Sequence, residues 1–411
     1  MQFLANLPFD INLLPKPVYV VGGAVRDALL GRVRAELDLD LVISTGAVAV
    51  ARQFAAEHRA GFVLLDAERQ IARVVFPKMT VDIAQQDGED ITQDLARRDY
   101  TLNAIAYDIQ TQQTIDPFGG TQDIQERTIR MVSRDNIIND PLRLLRAYRQ
   151  GAQLDFTIEP TTHAAIRELV PLVTTVAAER VLAELRYLFG TNSSQWLVAM
   201  VTDGLLTGWL EIPVQPDFKN RLDRFDRSIE LVKQHYPALD RELDLALRPT
   251  ISTSRKAIGK LAILLSPQLE LATIQLLRLT FSSAEIQAIA TAITYLPPLL
   301  NKQLSLREQY FWFQSVGSHF PLLIVMALAR GVELLRLQHL IDCYLDPHDR
   351  VAHPTPLISG HDLMQALKLS PSPIIGKLLT EVQIARITGI VVTATDAIEF
   401  ASNLIKSIDN T

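Results

Sequence analysis

Cysteine is nearly absent from this sequence: Cys343 is the single one among 411 residues, so no disulfide can form within the chain. A reducing compartment, the cytoplasm, is the expected home. A basic excess is also missing, with 40 Lys and Arg against 46 Asp and Glu and a net charge of −6. Proteins that coat nucleic acid gain affinity by neutralising many phosphates, so an RNA partner here must meet a local basic stripe. No run of eighteen residues is both apolar and free of charge, and no membrane span is expected. The start, Met1 to Pro8, lacks the basic and apolar regions of a secretory leader. There is neither a Walker loop nor a G-x-G-x-x-G fingerprint, which excludes P-loop and Rossmann readings. No Ser/His/Asp or Cys/His nucleophile set stands out, and His339, Cys343, His348 and His353 fit no zinc spacing.

What is present divides into two textures. Over the first 130 residues, short β-branched runs alternate with helical stretches. Pro17–Val21, Leu37–Ile43, Phe62–Leu65, Ile71–Phe76 and Thr80–Ile83 read as strands; Ala24–Leu30 and Ala47–His58 read as helices. The strands follow one another too closely for a doubly wound sheet, so hairpins in a mixed sheet are expected. From about Asn139 onward apolar residues recur at helical spacing and strand signals vanish. Asp140–Gln150, Thr161–Leu169, Ala177–Phe189 and Ser194–Thr202 read as amphipathic helices, and Ser282 with Glu285 offers a capping box for a helix running to Ile293. The polar stretch Asp346–Thr355 reads as a junction. The fold class is therefore α+β: an α/β head with a mixed sheet, followed by an elongated all-helical remainder.

Asp38 and Asp40 sit two apart on a strand, so both carboxylates share one face while Leu37, Leu39 and Leu41 take the other. Such a pair is either a polar edge or a holder of Mg2+, which takes hard oxygen ligands and leaves room for phosphates. Gly22 and Gly23 lie one short helix upstream; without Cβ atoms, their backbone N–H groups can approach a triphosphate. Arg26, on the first turn of that helix, can add a bidentate phosphate contact.

The run from Gly22 through Arg26 and Asp27 to Gly31, followed by Asp38-Leu39-Asp40, resembles the signature of class II tRNA nucleotidyltransferases and bacterial poly(A) polymerases. Further segments match in that family's order. They are Arg97 to Ala104; Asp116 to Gly120, ending at Asp123; Asp140-Pro141-Leu142-Arg143 with Arg146 and Arg149; and Glu179-Arg180 to Glu184. The resemblance covers residues 18 to 190, and Gly360 to Phe400 matches the family's tail more faintly. It implies a nucleotidyltransferase head over 1–133, a nucleotide-recognition neck over 134–190, a body over 191–345 and an RNA-binding tail over 346–411.

It further implies addition of CMP, and of AMP in some branches, from CTP and ATP to the tRNA 3′ end without a nucleic-acid template and with release of pyrophosphate. Asp38 and Asp40 would hold Mg2+; Gly22, Gly23, Arg26 and Arg98 would hold the triphosphate; Asp99 would orient the sugar or an arginine. Asp140, Arg143, Arg146 and Arg149 fall three apart and spiral across one helix face. Asp140 accepts and Arg143 donates, so together they can read the edge of cytosine or adenine and reject uracil. Arg146 and Arg149 would contact triphosphate or neighbouring helices. Neither a membrane nor DNA is an expected partner.

Two departures stand out. Asn139 occupies a position where the family usually has glutamate. Gln85 to Ala96 is shorter than the flexible stretch of full CCA-adding members and lacks their Arg-x-Glu element, as in the CC-adding branch, which works with a separate A-adding enzyme. The rival readings are a poly(A) polymerase and a catalytically silent RNA-binding protein of the same fold; the final Ile405 to Thr411 is not the basic tail of the former.

Overall fold

The computed structural model describes residues 7–32, 37–191, 194–210 and 217–409. The first six residues of the leader reading and the last two of the tail reading lie outside them. The chain forms two compact units, residues 1–209 and 210–411.

Unit 1 is built on a seven-stranded sheet: β1 (Val18–Val21), β2 (Leu37–Ile43), β3 (Gly61–Asp66), β4 (Ile71–Phe76), β5 (Met79–Gln85), β6 (Ala106–Asp108) and β7 (Thr114–Ile115), in the order β3-β4-β5-β2-β1-β6-β7. Hairpins join β3, β4 and β5, and the mixed character comes from one parallel pairing, β2 with β5. That pairing sets Asp38 opposite Thr80 and Asp40 opposite Asp82. Alternation in β2 buries Leu39, Leu41 and Ile43 on one face and leaves Asp38 and Asp40 on the other.

Helix α1 (Gly23–Leu29) follows β1 directly, and α2 (Ala47–Glu57) covers the sheet face opposite the acids. There Phe54 packs edge-on against Phe9 at 4.8 Å, and Phe9 stacks on Phe76 at 5.7 Å. On the acid face α3 (Ile91–Ala96), capped by Asp90, lays Ile91 and Leu95 over Val21 and Val42. The acids themselves are left open to a cleft.

After α4 (Gly120–Gln125) and α5 (Arg134–Asn139) comes α6 (Leu142–Leu154), which buries Leu142, Leu145 and Tyr148 against α8 (Ala178–Phe189) and α9 (Ser194–Thr202). The α6–α9 approach is close: a Cβ on Gly151 would lie 2.4 Å from the Trp196 ring. Between them, α7 (Pro160–Leu169) begins at a Glu159 cap.

Unit 2 is mostly helical. The helix Phe320–Ala329 is buried on every side and forms its centre, with Phe218–His235, Arg255–Leu264 and Ser283–Asn301 packed on it. The segment Leu306–Ala329 is the one stretch among the described residues long and apolar enough to cross a membrane, and 67% of its apolar window is buried inside the protein. That is the pattern of a core helix, apolar all round because it is enclosed.

The expected capping box at Ser282 and Glu285 is present, but its helix continues through Pro297 and Pro298 to Asn301. Two more capping boxes open helices at Ser305 and Ser359. The last three helices, Gly360–Leu367, Pro373–Ile387 and Ala394–Asp409, share their own core of Leu363, Leu378, Val382 and Ala397. Strand signals do not vanish after Asn139: Ala246–Arg248 pairs with Ile251–Ser254, and Thr157–Ile158 pairs with Thr128–Ile129. These ribbons are two to four residues long, too short to show period-two alternation.

Candidate active site

One cleft of about 1420 Å³ in unit 1 is lined by Gly22, Gly23, Arg26, Asp38, Asp40, Arg98, Asp99, Asp140, Arg143, Arg146 and Arg149. All eleven residues singled out in the sequence thus reach one space. They arrive on β2, the turn into α1 and α1 itself, the segment after α3, and the stretch from Asp140 through α6.

The glycine turn is tied to the acids by sterics. Gly22 has φ 70° and ψ −133°, a conformation open to glycine alone, and a Cβ there would lie 3.2 Å from both Arg98 Nη1 and Asp40 Oδ2. Gly23 is already helical, and a Cβ there would meet only Arg26 Nη2, at 3.6 Å. Its lack of a side chain is not required by packing.

The acids differ from each other. Asp38 is exposed and accepts a hydrogen bond from Thr80 Oγ1 at 2.6 Å. Burial pushes the Asp40 carboxyl up to about 6 against the pull of Arg98, and Asp82 and Asp38 add to the rise. Asp82, not among the residues singled out in the sequence, is clamped by Arg73 through two bonds of 2.7 and 2.9 Å. Two oxygen-only ligands beside a phosphate-sized space suit a hard divalent cation, which would relieve the crowding of negative charge at Asp40.

The arginines divide into those engaged with protein and those with donors to spare. Arg26 is buried, giving Nε and Nη2 to Asp27 and Nη1 to Asn103. Arg146 gives Nε to Asp99 at 2.8 Å, and Arg149 gives Nε to Glu184 at 2.5 Å. By contrast Arg98 Nε and Arg143 Nη1 are buried with no hydrogen-bond partner among the described residues. Buried donors in native proteins are almost always paired, and both residues line the cleft, where a bound ligand could supply the partner. Arg143 is held by its backbone, its carbonyl accepting from Tyr100 Oη at 2.5 Å, and burial lowers its pKa. Asp140 lies 3.9 Å from Arg143 Nε and also accepts from Arg180.

A family model of the poly A polymerase head domain matches residues 18–87 and 78–130; a model of the RNA- and SrmB-binding site of polymerase A matches 155–218; and a model of tRNA nucleotidyltransferase domain 2 matches 250–401. The chain is 43% identical to a CC-adding tRNA nucleotidyltransferase of Synechocystis sp., over 98% of its own length and 97% of that protein's. The chain belongs to the tRNA nucleotidyltransferase family. It is also 32% identical to the CC-adding tRNA nucleotidyltransferase of Geobacter sulfurreducens, covering 92% of this chain and 90% of that one. The solved complex of a CCA-adding enzyme with CTP shares the fold, with a TM-score of 0.72 at 24% identity, covering 95% of this chain and 91% of that one.

The cleft of this nucleotidyltransferase is also braced by residues that pattern reading passed over. Asn103 is a hub: its Oδ1 accepts from Arg26, and its Nδ2 donates to Asp99 Oδ1 and to Gln150 Oε1, both at 3.0 Å. It joins the glycine-turn helix to α6. Asp99 is buried at the cleft wall; burial alone would raise its carboxyl, but Arg146, Asn103 and the Tyr100 N–H outweigh it and hold it well below the usual range. Of the two partners expected for Asp99, a sugar or an arginine, the structure shows the bond to Arg146. Asn103 lies inside the Arg97–Ala104 segment that carried the resemblance; Gln150 gave no signal beyond its place one step after Arg149.

Proposed function

We propose that this enzyme adds CMP from CTP to the 3′ end of tRNA and stops after two cytidines, a separate enzyme adding the adenosine. The observation that carries nucleotidyl transfer is the cleft itself, in which Asp38 and Asp40 share one space with the unpartnered donors of Arg98 and Arg143. The RNA 3′-hydroxyl attacks the α-phosphate of CTP; a new P–O bond forms, the bond to the β-phosphate bridge breaks, and pyrophosphate leaves. Asp38 and Asp40 would hold Mg2+, which when bound would lower the hydroxyl pKa and neutralise charge developing on the leaving group. Gly22, Gly23 and Arg98 cradle the triphosphate, with Arg26 holding the α1 turn in place through Asp27 and Asn103. Asp140 and Arg143 read the base edge, while Asp99, Arg146 and Arg149 fix the reading helix.

Support for CC addition comes from the segment between β5 and Arg98. It is compact and pinned: Asp90 caps α3 through the Gln93 N–H, Arg97 pairs with Asp87 at 2.5 Å, and Asp94 pairs with Arg98 at 3.1 Å. A stretch this short, with half its length in a capped helix, offers little chain for re-shaping the pocket from cytidine to adenosine. The two CC-adding relatives point the same way. Residues 1–133, 134–190, 191–345 and 346–411 serve as head, neck, body and RNA-binding tail, and the single buried thiol suits the cytoplasm.

The test supplies tRNA ending at the discriminator base, at C, or at CC, with CTP or ATP alone. Two, one and no CMP residues are expected with CTP, and none of AMP. Appreciable AMP incorporation onto tRNA ending in CC would overturn the CC assignment. Long A tails on mixed RNA would mark a poly(A) polymerase, and no pyrophosphate release at all a silent binder.

A further inference from the structure

The sheet face that carries the acids does not end with them. Registry places Asp82 beside Asp40, Arg73 beside Asp82, and Val63 beside Arg73, so these four side chains share one face across β2, β5, β4 and β3. Val75, two residues from Arg73 on β4, joins them. Helix α2 covers the opposite face, and α3 covers only the Val42 end of this one. Val63 and Val75 accordingly remain 46% and 39% exposed. Arg73 is fixed by its two bonds to Asp82, yet its side chain is 42% exposed. An arginine anchored along one edge and open along the other is a pre-organised phosphate donor.

In-line displacement determines what such a surface meets. The glycine turn and Arg98 lie on the β1 side of the acid pair, so the leaving pyrophosphate sits there. The attacking hydroxyl must enter from the opposite side, over β5 and β4. We infer that the single-stranded 3′ end of the RNA lies across the outer face of β5, β4 and β3, with a backbone phosphate on Arg73 and its last sugars and bases over Val75 and Val63. Arg73 stands two strands from Asp40, roughly 10 Å away at the usual strand spacing, within reach of a phosphate just upstream of the terminal hydroxyl. The inference rests on the proposed transfer to RNA and names its strand-entry surface. Continuity with the acid pair and the open edge of Arg73, set between Val63 and Val75, favour a nucleic-acid strand over a protein partner.

The experiment measures CMP transfer to tRNA ending at the discriminator base, as a function of tRNA and salt concentration, with equilibrium CTP binding in parallel. Two variants are compared with wild type. The first is Val63→Asp, which puts a negative charge on the floor. The second pairs Arg73→Ala with Asp82→Asn, which removes the cation without stranding its acid. Both are expected to raise KM for tRNA about tenfold or more and to leave the CTP Kd unchanged. The second should also make the fall of log(kcat/KM) with log salt shallower by about 0.7, the value of one single-strand phosphate contact. An unchanged KM for tRNA, or a CTP Kd that rises in parallel, would overturn the surface. A wild type that binds CTP and transfers nothing to any RNA would instead overturn the functional reading beneath it.

Discussion

Replacing Asp40 by Asn is expected to abolish transfer and, without metal, to make the protein more stable at pH 8. The Asp40 carboxyl is raised from 3.8 to about 6, chiefly by burial. A group whose folded pKa lies above its unfolded value favours folding fully below about 3.8, and that contribution is lost as pH rises through 6. Above pH 6 the protein therefore carries a charged acid it would hold more comfortably as neutral. The size of the rise corresponds to about 3 kcal/mol, equivalent to roughly 6–12 °C in Tm for a unit of this size. Asn does not titrate. The stability difference between Asp40→Asn and wild type should be small at pH 4, grow through pH 6, and level off by pH 7. Calorimetry or urea unfolding in a chelator, across pH 4 to 8, reads it directly. Added Mg2+ with CTP should shrink the difference, because only wild type gains from binding them. A variant that is less stable than wild type at pH 8, or a difference independent of pH, would refute the argument that Asp40 is held under strain for a cation.

Gly22→Ala should cost about 1–3 kcal/mol, because alanine must adopt a positive-φ conformation and its Cβ would crowd Arg98 and Asp40. Gly23→Ala should leave the unfolding midpoint nearly unchanged while raising KM for CTP, since its Cβ would meet only Arg26 Nη2, at ordinary contact distance, and would face the proposed triphosphate; a loss of stability instead would show a packing role. Arg143→Ala should lower the preference for CTP over UTP about tenfold or more, with a smaller change in triphosphate affinity; an unchanged CTP/UTP ratio would remove Arg143 from base reading.

Local pattern explains what was legible in the sequence. Alternation of Leu37 to Leu41 places Asp38 and Asp40 on one face whatever the strand's neighbours, and the Gly22-Gly23 turn and the Asp140–Arg149 row are equally short-range. The remainder depends on register between distant segments. Nothing in β2 or β5 alone says that they pair in parallel, and only that pairing brings Asp82 to Asp40. Arg73 reads as one more residue of an apolar strand until the β4–β5 hairpin sets it against Asp82. The split among the arginines was hidden for the same reason. Arg146 and Arg149 share the spacing of Arg143, yet Asp99 and Glu184 occupy them from other elements, leaving Arg143 with a spare buried donor.

A crystal structure of the protein with CTP and Mg2+ tests the central claim most directly. The account predicts metal bound by Asp38 and Asp40, the triphosphate along the Gly22–Gly23 turn with Arg98, and the cytosine edge hydrogen-bonded to Asp140 and Arg143. A nucleotide whose base lies away from α6, or a metal that leaves either aspartate unligated, would contradict it.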